Sequence, residues 1–164
     1  MARKITGSVG TPAVAALTAA RVPFVLRPYP HDDGVSSFGL EAATALGVEP
    51  ERVFKTLMAS VDGTVVVAVV PVSGSLDLKA LASALGKRRA AMADPAVAER
   101  RSGYVLGGIS PLGQRQRSGV IIDETVLLHA TVFVSGGRRG LDIELAPTDL
   151  IAATQALTAP IAGT

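Results

Sequence analysis

The chain has 164 residues, of which 48% are hydrophobic and 18% charged, and its net charge is only +2. That length suits one domain with a real core, and the balance of apolar and charged residues excludes a disordered chain. The absence of cysteine excludes disulfides, thiolate zinc sites and a cysteine nucleophile, and it fits a reducing, cytoplasmic setting.

The opening MARKITGSVGTPAVAALTAARVP imitates a signal peptide, because Arg3 and Lys4 precede an apolar stretch. Thr11, Thr18 and Arg21 interrupt that stretch, and Thr11-Pro12 reads better as a helix N-cap followed by the first helical residue. Residues 1–10 are therefore expected to be a flexible extension and residues 11–164 a single domain. The longest apolar run, VVVAVVPV, is too short to span a bilayer and contains a proline, so no membrane segment is expected.

A helix over about residues 12–20 leads into a strand, PFVLRPY (Pro23 to Tyr29). HDDGVSS is a loop, and a second helix from about Phe38 to Leu46 is stopped by Gly47. FKTLMASV and TVVVAVVP read as strands joined by Asp62-Gly63, a strong hairpin signal. DLKALASAL is a helix ended by Gly86, RRAAMA a short strand, and Asp94-Pro95 starts another helix. YVLGGISPLGQ is a glycine-rich loop. GVIID, LLHATVFVS and LDIEL are strands, with His129 on a strand face, and PTDLIAATQAL is the closing helix. Hairpins and helical crossovers together predict an α/β (α+β) fold with a mixed sheet and surrounding helices.

Charge is unevenly spread. Between Lys79 and Arg139 there are ten Lys/Arg against four Asp/Glu, a net of +6. Doublets at Arg88-Arg89, Arg100-Arg101 and Arg138-Arg139, with Arg115 and Arg117, suit an anionic partner such as a phosphate backbone. Aromatic residues are only 4%, so an open single-strand stacking platform is not expected.

Familiar catalytic motifs are absent. His31 and His129 are far apart without metal-ligand spacing, and no phosphate-binding or nucleophile-elbow motif occurs. Three polar features remain. Lys55 sits within a strand whose two faces are both largely apolar, where an ammonium is costly; it either snorkels from an edge strand or serves a pocket. The Gly107-Gly108 pair before Ser110-Pro111 lets backbone approach a ligand closely, or is simply a tight turn. Asp142 and Glu144 alternate along LDIEL onto one face, where either could partner Lys55, bind a ligand, or face solvent.

At PYPHD (28–32), SSFG (36–39), VFKTL (53–57), PVSGSLDLKALASALG (71–86), MADPAVAERRSGYVLGGISPLGQ (92–114), IID (121–123) and VSGGRRGLDIEL (134–145) the sequence resembles the YbaK/EbsC family of aminoacyl-tRNA deacylases, in particular its Cys-tRNA(Pro) deacylase branch. The likeness runs from about Thr11 to the end. VxKTL alone is a modest signal, but combined with GGISPLGQ and SGGxRGLDIEL it is specific.

That resemblance implies a mixed, barrel-like central sheet, as in the editing insertion domain of bacterial prolyl-tRNA synthetases, and trans hydrolysis of the ester joining a wrong amino acid to tRNA. It places the essential lysine on Lys55 beside Thr56, the pocket aromatics on Tyr29 and Phe38, and the glycine loop on Gly107, Gly108, Ile109 and Ser110. The strand-end pair becomes Ser135 and Gly136, and the pocket aspartate Asp142. Asp33-Gly34 replace a more proline-rich loop of the family. With no nucleophile in the protein, a cysteinyl substrate would supply its own thiol, leaving as a cyclic thiolactone. The implied substrate is Cys-tRNA(Pro), with Cys-tRNA(Cys) as a further one. The expected partners are the acceptor end of mischarged tRNA, touched by Arg88, Arg89, Arg115, Arg117, Arg138 and Arg139, and prolyl-tRNA synthetase; no cofactor or metal is expected. The alternatives are a deacylase for another small residue such as alanine on tRNA(Pro), or a non-catalytic tRNA- or synthetase-binding module.

Overall fold

The structure, a computed structural model, describes residues 10–34 and 37–163. The N-terminal extension expected over residues 1–10 lies almost wholly outside the described residues. Helix α1 (Pro12–Ala19) begins as expected, with the Thr11 side chain accepting the Val14 amide at 3.2 Å and proline in the first turn. Strand β1 (Val25–Pro28) follows, then α2 (Phe38–Leu46), which ends in the left-handed Gly47 with φ of 67°. A short 3-10 turn, Pro50–Arg52, leads into β2 (Phe54–Val61).

Strands β2 and β3 (Thr64–Pro71) pair antiparallel over their whole length. Their turn has positive φ at both Asp62 (47°) and Gly63 (85°), as a type I′ hairpin requires. The Asp62 carboxylate also accepts the amides of Arg88 and Arg89 at 3.1 and 2.9 Å. The next elements are β4 (Ser75–Leu76), α3 (Leu78–Ala84), β5 (Ala90–Met92), α4 (Pro95–Ser102), β6 (Gly119–Asp123), β7 (Val132–Arg138), β8 (Leu141–Leu145), α5 (Pro147–Thr154), β9 (Leu157–Ala159) and β10 (Ala162–Gly163).

The strands form a five-stranded sheet in the order β5-β2-β3-β6-β9, a three-stranded sheet β1-β8-β7 and a pair β10-β4. The large sheet is mixed, since β3-β6 and β6-β9 run parallel and β2-β3 and β2-β5 antiparallel. The mixed α/β architecture is therefore as expected. Among the described residues the sheets do not close into a barrel, and a single bridge, Val53 to Phe133, joins the two larger ones.

Apolar alternation explains the layers. Phe54 and Met58 of β2, with Val67 and Val69 of β3, face a core shared with α1, α5 and the β7-β8 hairpin. Ala59 and Val61, with Val66, Ala68 and Val70, face a second core under α3. TVVVAVVP is thus buried on both sides, each enclosed valine contributing about 1.5–3 kcal/mol. A third cluster, Ala42, Ala43, Val53, Val72 and Phe133, seats α2 on the junction of the sheets.

Two stretches differ from the sequence reading. LLH is not strand: Glu124–Leu128 form a 3-10 turn with Asp123 capping the Thr125 amide, and His129 ends it. Nor does the helix at 147–154 close the fold, because β9 and β10 follow it. Asp123, only 2% exposed, holds this tail: its Oδ1 accepts the amides of Ile161 and Ala162 at 3.0 and 2.9 Å. Asp123→Ala leaves those amides without an acceptor and is expected to cost on the order of 3 kcal/mol, read as a lower urea midpoint; an unchanged midpoint would remove Asp123 from this role.

Candidate active site

The site arises from incomplete pairing of one strand edge. On one side β2 is fully paired with β3. On the other, β7 reaches it only at Val53, and β5 joins from Ala59, with the Ala93 amide donating to the Met58 carbonyl. Between these attachments, Lys55, Thr56 and Leu57 have no strand partner on that side among the described residues. Val72 donates to the Val53 carbonyl, so odd-numbered residues of β2 turn their backbone groups toward β3. The Thr56 amide and carbonyl therefore point into the gap. Here lies a cavity of about 320 Å³, at the small end of ligand sites.

Its walls come from five places. Lys55, Thr56 and Leu57 form the floor, Tyr29 one flank, Phe38 and Gly39 of α2 the roof, and Leu106, Gly107 and Ile109 of the glycine-rich loop the far side. Gly39 is needed because a Cβ there would lie 2.3 Å from Val72 Cγ1. Ser135 and Asp142 reach the cavity from the β7-β8 hairpin, where a register shift between Ser135 and Arg138 accommodates Gly136 and Gly137.

Charge is left unbalanced in this space. Lys55 is half-buried and has no ion-pair partner among the described residues. Asp142 is 5% exposed, and its Oδ2 is buried without a hydrogen-bond partner. Burial pushes its carboxyl up from 3.8 to about 7. Of the alternatives open for Asp142, a pairing with Lys55 is not formed. Tyr29 is also pushed up, to about 12, mainly by burial and then by the charge of Asp142, so its hydroxyl stays a donor. Glu144 shares the Asp142 face but is spent on Arg27 at 2.6 Å and Arg52 at 3.4 Å.

Of the residues expected from the sequence, Tyr29, Phe38, Lys55, Thr56, Gly107, Ile109, Ser135 and Asp142 meet at the cavity. Gly108, Ser110 and Gly136 do not line it. The Gly108 amide donates to the Val105 carbonyl at 2.9 Å and its carbonyl accepts from Ser135, so it cannot face an oxyanion. Ser110 is fully buried and its hydroxyl accepts the Leu112 amide. Gly136 packs against Leu141 and accepts from Thr11. These three brace the wall from behind. Leu57, Val72 and Leu106 were missed by the sequence reading; Leu57 could have been found from its shared face with Lys55.

The arginines also divide. Arg88 and Arg89 lie at the far end of β2, six residues or about 20 Å from Lys55. Arg115 donates its amide to Ser102 and packs beside Gly103, and Gly103 is within about 10 Å of Leu106 by chain length alone. Arg117 bonds Gln155, on the side of α5. Arg138 and Arg139 form the hairpin tip, with Arg139 against Leu106 and Phe38 of the cavity wall and Arg138 beside Gly108.

Comparison with known proteins places these features. Residues 34–153 match the model of a family described as the aminoacyl-tRNA editing domain. The chain is 38% identical over 120 residues, 73% of either chain, to EbsC of Enterococcus faecalis, whose name provisionally gives it a Cys-tRNA(Pro)/Cys-tRNA(Cys) deacylase role. Among solved structures, one described provisionally as a trans-editing enzyme for prolyl-tRNA synthetase superposes with TM-score 0.83 at 22% identity, covering 98% of this chain and all of that one. A hypothetical protein superposes with TM-score 0.82 at 24% identity, covering 93% and 99%. At these identities the structures establish the fold.

The raised carboxyl of Asp142 has a pH signature. The folded state keeps a proton that the unfolded chain releases above its ordinary value of 3.8, so this contribution is complete below that pH and is lost as pH rises to about 7. Asp142→Asn is expected to raise the melting temperature more at pH 8 than at pH 5. Equal shifts at both values would show that the carboxyl titrates normally.

Proposed function

The chain belongs to the aminoacyl-tRNA editing domain family, and we propose that within it the chain is a trans-acting deacylase that clears cysteine from tRNA(Pro), and from tRNA(Cys) as a second substrate. The observation that carries this reading is the small cavity in which Lys55 and the Asp142 carboxylate each have no partner among the described residues. An aminoacyl ester supplies what both lack. Its α-ammonium satisfies Asp142 Oδ2, lowering that group's proton affinity as it binds, and its carbonyl or terminal phosphate satisfies Lys55. The apolar walls at Val53, Leu57 and Val72 suit a short side chain.

The protein supplies positioning and electrostatics, and the substrate supplies the nucleophile. The cysteinyl sulfur attacks its own ester carbon, a C–S bond forms, the bond from carbon to the ribose oxygen breaks, and the thiol proton ends on that oxygen. The products are tRNA and a four-membered thiolactone, which water later opens to cysteine. Lys55 and the unpaired Thr56 amide face the oxyanion that develops on the carbonyl, donors fixed before the reaction begins. The Tyr29 hydroxyl, held protonated by burial, is a further donor within the cavity. Residues 11–164 act as one deacylase domain in the cytoplasm, and prolyl-tRNA synthetase is the partner expected to present the mischarged product.

RNA contact falls to the arginines on the mouth side, Arg115 and Arg138, and not to Arg88 and Arg89. Phosphate contacts position the acceptor end without reading its sequence, so tRNA choice resides in the synthetase complex or in the amino acid.

Two experiments test the reading. Lys55→Ala should lose about a hundredfold or more of the cysteine release from Cys-tRNA(Pro) while keeping its melting temperature; parental turnover would end the role of Lys55. Efficient hydrolysis of Ala-tRNA(Pro) by the parent would discard the thiol mechanism, and no turnover of any mischarged tRNA, with or without the synthetase, would leave a binding module. For the RNA surface, Arg115→Ala with Arg138→Ala should flatten the salt dependence of KM by about 0.7–0.9 for each phosphate no longer neutralised. Arg88→Ala with Arg89→Ala should leave it unchanged, and the opposite pattern would move the RNA to the far end of β2.

A further inference from the structure

Arg139 reads from the sequence as one more phosphate contact, yet its guanidinium is already engaged. Its Nε and Nη2 both donate to the Leu106 carbonyl, at 3.0 and 2.6 Å. Its plane lies over the Phe38 ring, 4.6 Å from the centroid. Leu106 is fixed from its other side as well, since Glu99 Oε2 accepts its amide at 2.9 Å. Gly107, with φ of 85°, has no side chain to separate these groups: a Cβ there would stand 2.7 Å from Arg139 Nε and 2.8 Å from the Phe38 ring. Three residues that line the cavity, Phe38, Leu106 and Gly107, thus converge on one side chain that does not line it.

Phe38 needs such support. It opens α2, whose N-cap Ser37 makes no side-chain capping bond. That turn is tied down through Glu41, which bonds the His31 ring at 2.9 Å and accepts the Asp32 amide at 2.7 Å, contacts that fix the helix and not the Phe38 ring. The tip that carries Arg139 is itself anchored, because Gly140 accepts the amide of Tyr29 at 2.9 Å. We propose that Arg139 is a positioning residue that sets the width of the cavity mouth by clamping Phe38 to the Leu106–Gly107 segment. The inference rests on the deacylase reading for its effect on turnover, but the clamp itself does not depend on it. A guanidinium can donate in its plane to one carbonyl while its face lies on an aromatic ring; an ammonium has no such face and no fork. Lysine is therefore not a substitute for a clamp, whereas it is an adequate substitute for a phosphate contact.

The full chain labelled with fluorophenylalanine gives a readout independent of activity. Its four phenylalanines yield one fluorine signal each, and Phe38→Leu assigns the one at the mouth. Arg139→Ala and Arg139→Lys should both shift or broaden the Phe38 signal and leave those of Phe24, Phe54 and Phe133 in place. With Cys-tRNA(Pro), both variants should lose at least about tenfold in kcat, as misplaced walls do, with KM and its salt slope close to parental. An unmoved Phe38 signal in Arg139→Ala overturns the clamp. So does recovery of kcat by Arg139→Lys together with a reduced salt slope in Arg139→Ala, which marks a phosphate contact. If the parent deacylates nothing, the fluorine signals still decide the clamp, and the deacylase reading alone falls.

Discussion

One strand edge governs this molecule. β2 must satisfy its backbone along both sides, and on the side away from β3 two different strands share the work: β7 at Val53 and β5 from Ala59. Because they come from different sheets, they cannot meet, and a gap opens between them at Lys55, Thr56 and Leu57. The unclosed barrel and the cavity are therefore one fact seen twice. Had β7 continued along β2, the sheets would have merged and the gap would have been filled by a ladder.

The rest of the site is arranged around that gap. α2 roofs it through Ala42 and Ala43, packed on Val53, Val72 and Phe133. The register shift in β7-β8 lies between Ser135, which lines the cavity, and Arg138 at the hairpin tip. Glu144, one pleat from Asp142, is neutralised by two arginines whose guanidinium groups lie over Phe133 at 5.3 and 5.1 Å. The contrast is informative. The same strand face carries a carboxylate compensated by arginines and one with an oxygen unpaired among the described residues, and only the second lines the cavity.

Much of this was legible in the sequence, and the failures have physical causes. Helix signals at Thr11-Pro12, Asp94-Pro95 and Gly47 are local, and each marks its element. Asp62-Gly63 located the hairpin because backbone strain there admits few residues. β9 and β10 were not legible: runs of three and two residues acquire strand geometry only from β6, β4 and the Asp123 carboxylate. Lys55 was ambiguous between edge and interior because β2 is both, interior by strand order and open at that one place. Gly108 and Gly136 do not line the cavity, and the sequence could not show this for a different reason. A glycine that lets a ligand approach and one that lets backbone approach leave the same mark, and the structure shows close packing against Arg138 and Leu141.

The pairing of β1 with β8 sets a condition on when the site exists. Arg27 lies opposite Asp142, so Tyr29 and Asp142 face the same cavity only when a strand near the start of the chain receives one made more than a hundred residues later. Domains begin to fold during synthesis from the N-terminal side, but β1 has nothing to pair with until β8 has left the ribosome. The helices and the β2-β3 hairpin can form early; the cavity cannot. A partly made chain therefore carries Lys55 on a folded hairpin without the Tyr29 and Asp142 flank, and the cavity is complete only once β8 has been made.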